Sequence, residues 1–93
     1  MIRYKVLYHP DVLDEDLKII PANIRNRIRK AIENRLLTEP ILSGQPLRQS
    51  LKGHRKLRVG DWRVIYRVES DSVIILKSGN RKDVYKEVFR RVK

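Results

Sequence analysis

A chain of 93 residues without cysteine, carrying 22 Lys and Arg against 11 Asp and Glu, has a formal net charge of +11 and a pI near 10.5. That length suits one domain, able to bury about 60–65% of its unfolded surface, and the missing thiols exclude disulfides and thiolate metal sites. No apolar run approaches the ~18–20 residues that span a membrane, and the opening MIRYKVLYHP lacks the apolar stretch of a signal peptide, so a cytoplasmic protein is expected. The charge is uneven. Residues 1–47 hold eight basic and six acidic side chains, whereas residues 48–93 hold fourteen and five. A field concentrated in that way favours a polyanion, either nucleic acid or ribosome, or an acidic protein that relieves self-repulsion.

Ile2, Tyr4, Val6 and Tyr8 alternate and predict a first strand, which His9-Pro10-Asp11 ends. Leu13, Leu17 and Ile20 then recur at helical spacing. Asp11, Asp14, Glu15 and Asp16 lie in the first turns of that helix, where the positive end of its dipole favours acids. The dipole reading is preferred to a metal site because no further ligands are spaced to help, and His9 is read as structural. Pro21 breaks this helix and opens the next. There Ile24, Ile28, Ala31, Ile32 and Leu36 form an apolar stripe from about Pro21 to Glu39. Arg25, Arg27, Arg29, Lys30 and Arg35 lie mostly off the stripe, read as a solvated face with a contact to rRNA as the minority reading. The two helices predict a hairpin laid on a sheet, followed by a loop at Ser43-Gly44-Gln45-Pro46.

From His54 to Arg67 the sequence HRKLRVGDWRVIYR alternates again, and Gly60-Asp61 is a two-residue hairpin signal. Pairing the apolar faces leaves Lys56, Arg58, Arg63 and Arg67 together on the other side of the sheet. After a turn at Glu69-Ser70-Asp71-Ser72, the apolar run Val73 to Leu76 predicts a strand covered on both sides. Val84, Val88 and Val92, with Tyr85 and Phe89 beside them, predict a short amphipathic C-terminal helix. The fold class expected is α+β, an antiparallel-dominated sheet of about four strands with an N-terminal helical hairpin and a short C-terminal helix. The sequence holds no repeat, phosphate-binding glycine motif or zinc spacing.

RNA cleavage by its own 2′-hydroxyl needs that hydroxyl deprotonated, charge stabilised on a phosphorane-like transition state, and the 5′-oxygen protonated. Arginine suits the second task because its planar fork matches two phosphate oxygens at once. Arg63 and Arg81 are the candidates, Lys56 is a further catalytic candidate, and Arg58, Arg55, Arg67 and Lys82 are RNA contacts. His54 is a candidate proton acceptor. Tyr85 has two readings, stacking on an unstacked base or packing beside Phe89.

LRVGDWRVIYRV, followed by GNRKDVY and a final helix, resembles the RelE/ParE toxin superfamily, and its RelE branch in particular. The resemblance covers most of the chain and is most specific from Leu57 to Tyr85. It implies a toxin of a type II toxin–antitoxin module that cuts mRNA in the ribosomal A site, inhibiting translation, without metal or cofactor. The family's strand Lys, the Arg after the hairpin aromatic, the Arg after the last strand and the Tyr of the final helix match Lys56, Arg63, Arg81 and Tyr85. By that match Arg63 neutralises phosphate, Arg81 acts as general acid or charge stabiliser, and Tyr85 stacks on or orients mRNA. Two positions depart from the pattern. His54 stands where the best-studied relatives carry a second lysine, and Asn80 where many have His or Lys, so the general base is open between His54 and Lys56. The implied partner is a cognate acidic antitoxin, in a hetero-oligomeric complex that binds operator DNA through the antitoxin. The alternatives are a ParE-type inhibitor of DNA gyrase and a catalytically decayed RNA- or ribosome-binding module.

Overall fold

The computed structural model describes residues 3–91, apart from the side chain of Glu87, so the predicted roles of Ile2 and Val92 lie outside the described residues. The fold is α+β, as expected, around a five-stranded sheet in the order β1-β5-β4-β3-β2. Strands β3 (Arg55–Val59), β4 (Trp62–Glu69) and β5 (Ser72–Asn80) form an antiparallel meander. Gly60 takes the positive φ, +60°, that its two-residue turn requires. Two edges correct the four-strand expectation. β2 is a two-residue strand, Gln45–Pro46, within the predicted loop, and pairs antiparallel with β3. β1 (Lys5–Tyr8) runs parallel to β5, so the sheet is mixed. No hairpin constrains the direction of β1, because the whole helical excursion and the meander separate it from its partner.

One face of the sheet is covered by two N-terminal helices. The first, α1, spans residues 12–19. It begins as a wide turn over Val12–Asp16, in which the Leu17 N–H reaches back to the Val12 carbonyl, and continues through Leu17–Ile19. That wide turn alters the predicted stripe. Val12, Asp16 and Ile20 point inward, while Leu13 is 51% exposed and Leu17 only partly covered. The second helix, α2, spans residues 22–36, as Ala22–Ala31 and a widened continuation over Ile32–Leu36. Its stripe is as expected, with Ile28, Ile32 and Leu36 buried against Leu57, Val64, Tyr66, Val73 and Ile75. The short α3 (Pro40–Ser43) then leads into β2. On the opposite face the C-terminal helix α4 (Val84–Arg91) and the tight turn at Gln49–Leu51 cover Ile65 and Leu76. The run Val73 to Leu76 is thus covered from both sides, as its unbroken hydrophobicity predicted.

The β4–β5 register shifts between Ile65 and Tyr66: Ile65 pairs with Lys77 but Tyr66 with Ile75, so Leu76 is the extra residue of a bulge on β5. β1 also stops pairing at Ile75. The rest of that edge of β5 is completed by side chains. Asp16, 1% exposed, accepts the Ser78 N–H at 2.9 Å, and Arg91, 5% exposed, donates to the Leu76 carbonyl at 3.1 Å. An edge whose backbone groups need partners is here closed by an ion pair in place of a strand.

Tyr66 fixes the opposite edge. Its hydroxyl donates to the Pro40 carbonyl at 2.6 Å inside the core. Gly44 must be glycine, since a Cβ there would lie 1.9 Å from that oxygen. Burial pushes the phenol up to about 12, with the Arg55 guanidinium opposing the shift. The folded value lies above the unfolded ~10, so this stability is complete below about pH 10 and is lost as pH rises through about 12. Tyr66→Phe leaves the Pro40 carbonyl unsatisfied and should cost about 1–2 kcal/mol, or roughly 4–8 °C in Tm per kcal/mol. Urea unfolding at neutral and alkaline pH checks both parts: the variant should start less stable and lose less of its remaining stability between pH 10 and 12.

Candidate nucleic-acid interface

The β3–β4 register places Arg58 directly opposite Arg63, with Lys56 one pleat further along the same face. Like charges paired across strands oppose folding unless an anion compensates them. Beyond the short β2, at the free end of β3, these three side chains meet Arg35 from the end of α2 and Ser43 and Gln45 from the α3–β2 segment. Together they line a cleft of about 220 Å³ that has four cations and no carboxylate in its wall. Arg63 is held in place locally, its Nη1 donating to the carbonyls of Gly60 at 2.8 Å and Trp62 at 2.9 Å.

Arg81 reaches the same end of the sheet from β5. Trp62 pairs with Asn80 and Arg63 with Gly79, and the Arg81 N–H donates to the Asp61 carbonyl in the hairpin turn at 2.9 Å. Asn80 turns the chain by accepting the Lys82 N–H on its own side chain, and the side chains of Arg81 and Lys82 are exposed. Arg27 approaches the turn as well: a Cβ on Gly60 would lie 3.1 Å from its Nη2. Tyr85, in the first turn of α4, is half-buried against the cluster of Leu51, Ile65, Leu76, Val84 and Val88.

The other candidates stand apart from the cleft. Arg55 points to the helical face and donates from Nη1 to the carbonyls of Ile41 and Gly44 at 2.8 and 3.2 Å, which binds α3 to the sheet. Arg67 is half-buried and pairs with Glu69 at 2.8 Å. His54 does not line the cleft. Its backbone bonds the Leu47–Leu51 segment, and both ring nitrogens are buried without a hydrogen-bond partner in the described structure. Sequence reasoning did not find Arg35, Ser43, Gln45 and Arg27. Arg27 and Arg35 looked like any other cation off the apolar stripe, and only the close approach of α2 to the meander distinguishes them. Among the described residues no group of three or more His, Asp or Glu side chains is placed to hold a metal ion, and no helix is long and apolar enough to cross a membrane.

Chemically the cleft offers hydrogen-bond donors and positive charge without an internal acceptor of opposite sign. It is suited to phosphodiester oxygens.

Comparison with known proteins identifies the family and the fold. Residues 6–85 match the family model of the ParE toxin of type II toxin-antitoxin systems, parDE. The chain is 33% identical over 73 residues to toxin RelG of Mycobacterium tuberculosis, covering 76% of this chain and 84% of that one. Its fold is similar to the crystal structure of the M. tuberculosis toxin–antitoxin complex RelBE2, with TM-score 0.79 and 29% identity over 86% of this chain and all of that one. It is also similar to the RelB–RelE complex of Methanococcus jannaschii, with TM-score 0.67 and 26% identity over 86% of this chain and 95% of that one. A mutant of E. coli toxin RelE in the free state shares the fold at TM-score 0.73 and 22% identity, over 99% of this chain and all of that one.

The cleft makes a quantitative prediction about salt. Removing one cation that neutralises a phosphate should reduce the slope of log affinity for single-stranded RNA against log salt by about 0.7. Arg35→Gln and Arg58→Gln should each show that change by fluorescence anisotropy. Arg55→Gln should instead lower Tm while leaving the slope near that of the parent, because its guanidinium serves two backbone carbonyls.

Proposed function

The chain belongs to the ParE toxin family of type II toxin–antitoxin systems, within the RelE/ParE superfamily, and on that premise we propose that it is a ribosome-dependent mRNA endoribonuclease. The observation that carries this reading is the meeting of Lys56, Arg58 and Arg63 in a cleft without a carboxylate, with Arg81 bonded through its backbone to the adjoining turn. In the proposed reaction the mRNA 2′-oxygen attacks the adjacent phosphorus and the P–O5′ bond breaks. The products are a 2′,3′-cyclic phosphate and a 5′-hydroxyl end. Arg63 and Arg81 stabilise charge on the phosphorane, and donors fixed in advance around such charge contribute about 3–4 kcal/mol each. Lys56, which lines the cleft, takes the 2′-hydroxyl proton in preference to His54, which does not. Arg81 or water protonates the leaving O5′. Tyr85 stacks on or orients an unstacked base with the part of its ring that does not pack against the α4-side cluster.

The proposed partner is an acidic antitoxin, in a hetero-oligomeric complex that reaches operator DNA through the antitoxin. The net charge of +11 favours such a partner, and two similar structures are toxin–antitoxin complexes. A second reading, inhibition of DNA gyrase, is favoured by the ParE description of the matching family. It leaves the cation cleft without a task.

Induced expression followed by mapping of mRNA 5′ ends separates the two. The endoribonuclease reading expects cuts inside coding regions engaged by ribosomes, whereas intact transcripts with gyrase-linked DNA breaks would establish the second reading. On programmed ribosomes Arg63→Ala and Arg81→Ala should each slow single-turnover cleavage by ~10²-fold or more, with ribosome affinity nearly unchanged.

A further inference from the structure

Asp16 and Arg91 form the most heavily bonded pair among the described side chains, each with four hydrogen bonds. Asp16 Oδ1 accepts from Lys77 Nζ at 2.9 Å and Arg91 Nη2 at 3.1 Å; its Oδ2 accepts from the Ser78 N–H at 2.9 Å and Arg91 Nη1 at 2.6 Å. Arg91 is shared further with Glu15 at 3.2 Å and with Asp11 at 3.7 Å. Resemblance to known toxins gives none of these residues a role.

Stability alone is a weak reason for such a cluster, since a buried ion pair is often matched or exceeded by apolar side chains of the same volume. What the cluster supplies that apolar packing does not is direction. Ser78 lies three residues before Arg81 on the strand that delivers it. Arg91 lies six residues after Tyr85, about 9 Å along the same helix. At the other end of α4, Val84 rests against Gly79, where an added Cβ would lie 3.7 Å from its Cα. Tyr85 therefore sits between an apolar contact, which sets no direction, and a bidentate ionic one, which does.

We propose that Asp16 and Arg91 are positioning residues: a single carboxylate holds both the strand end that presents Arg81 and the helix that presents Tyr85. This inference rests on the endoribonuclease reading for its consequence in rate, but not for its structural content.

Two measurements test it, and they fail separately. In the first, Arg91→Lys keeps the charge but not the fork. Single-turnover cleavage per folded molecule should slow by ~10-fold or more at unchanged ribosome affinity, as for a displaced catalytic group. In a Tyr85→Ala background the same change should cost several-fold less than it does in the parent, because one of the two groups being positioned is gone. A wild-type rate in Arg91→Lys, or losses that multiply in the double variant, overturns the proposal. Should Arg91→Lys fail to fold, Glu15→Gln loosens the same guanidinium from its exposed side and is read by the same criteria.

The second measurement, amide hydrogen exchange, does not depend on activity. In the variant, α4 and the Asn80–Arg81 amides should exchange faster while the β3–β4 hairpin keeps its protection. Uniform acceleration across the chain would mean lost stability only, and would overturn the inference. A wild-type protein that leaves mRNA intact would sink the functional reading while leaving the exchange result to decide the positioning role.

Discussion

The carboxylate of Asp16 is the point on which the rest of the chain is assembled. A charge in the interior is tolerated only when paired and hydrogen-bonded, and this one receives four donors from three residues. Those donors belong to β5 and α4, while the carboxylate belongs to α1, so the first helix, the last strand and the last helix converge on one group. Burial alone lowers the affinity of Arg91 for its proton, but the hydrogen bond and charge of Asp16, with Asp11 and Glu15, outweigh it, and the net shift is upward. The guanidinium is thereby fixed as a cation. The arrangement also solves a backbone problem, since β1 is too short to cover β5 and the bulge at Leu76 leaves amide groups facing the gap.

Two kinds of cation follow from this construction. Lys77 and Arg91 are buried and compensated by acids on α1, whereas Lys56, Arg58, Arg63 and Arg35 face a cleft whose wall holds no acid. The scaffold bears the repulsion of the second group because the strands carrying it are fixed from behind. Leu57 and Val64, neighbours of Lys56, Arg58 and Arg63 on the same strands, are fully buried against the helices. Alternation in a strand does both tasks at once, with apolar residues inward and cations outward, and shifting the register by one residue would destroy both.

Much of this was legible in the sequence. The meander, its Gly60 turn, the α2 stripe and the doubly covered β5 follow from periodicity and turn chemistry. The grouping of Lys56, Arg58 and Arg63 follows from the same pleat. What was not legible depended on contacts between distant segments. Asp16 reads as one of several acids near a helix start, since the wide turn that rotates it inward has no marker in VLDED. Arg55 and Arg58 look alike three residues apart, yet odd spacing puts them on opposite faces, so one binds backbone carbonyls and the other lines the cleft. Ile65 shares a face with the cations but is fully buried, because α4 and the Gln49–Leu51 turn cover its part of that face. Gly44 reads as loop punctuation, and only the tyrosine oxygen 22 positions later explains it.

The separation of charge within the fold has a further consequence. The sheet order β1-β5-β4-β3-β2 places the compensated cluster on the β1 side of β5 and the cation cleft at the β3 edge, with β4 between them. Asp16 and Glu15 on α1 are already engaged by Arg91 and Lys77, and the width of the sheet separates them from the cleft. The cleft therefore presents its charge nearly undiminished to whatever approaches, over the ~8–10 Å Debye length of physiological salt. The same isolation leaves the free protein under strain from its own charge. Any polyanion that seats there, whether RNA phosphates or an acidic segment of another protein, gains binding energy and relieves that strain together. By linkage it stabilises the fold according to how far its concentration exceeds its Kd. An acidic protein and an RNA backbone that both seated there would compete for one electrostatic feature, even with contacts of their own elsewhere. Which polyanion holds such a surface is set by the concentration of each relative to its Kd.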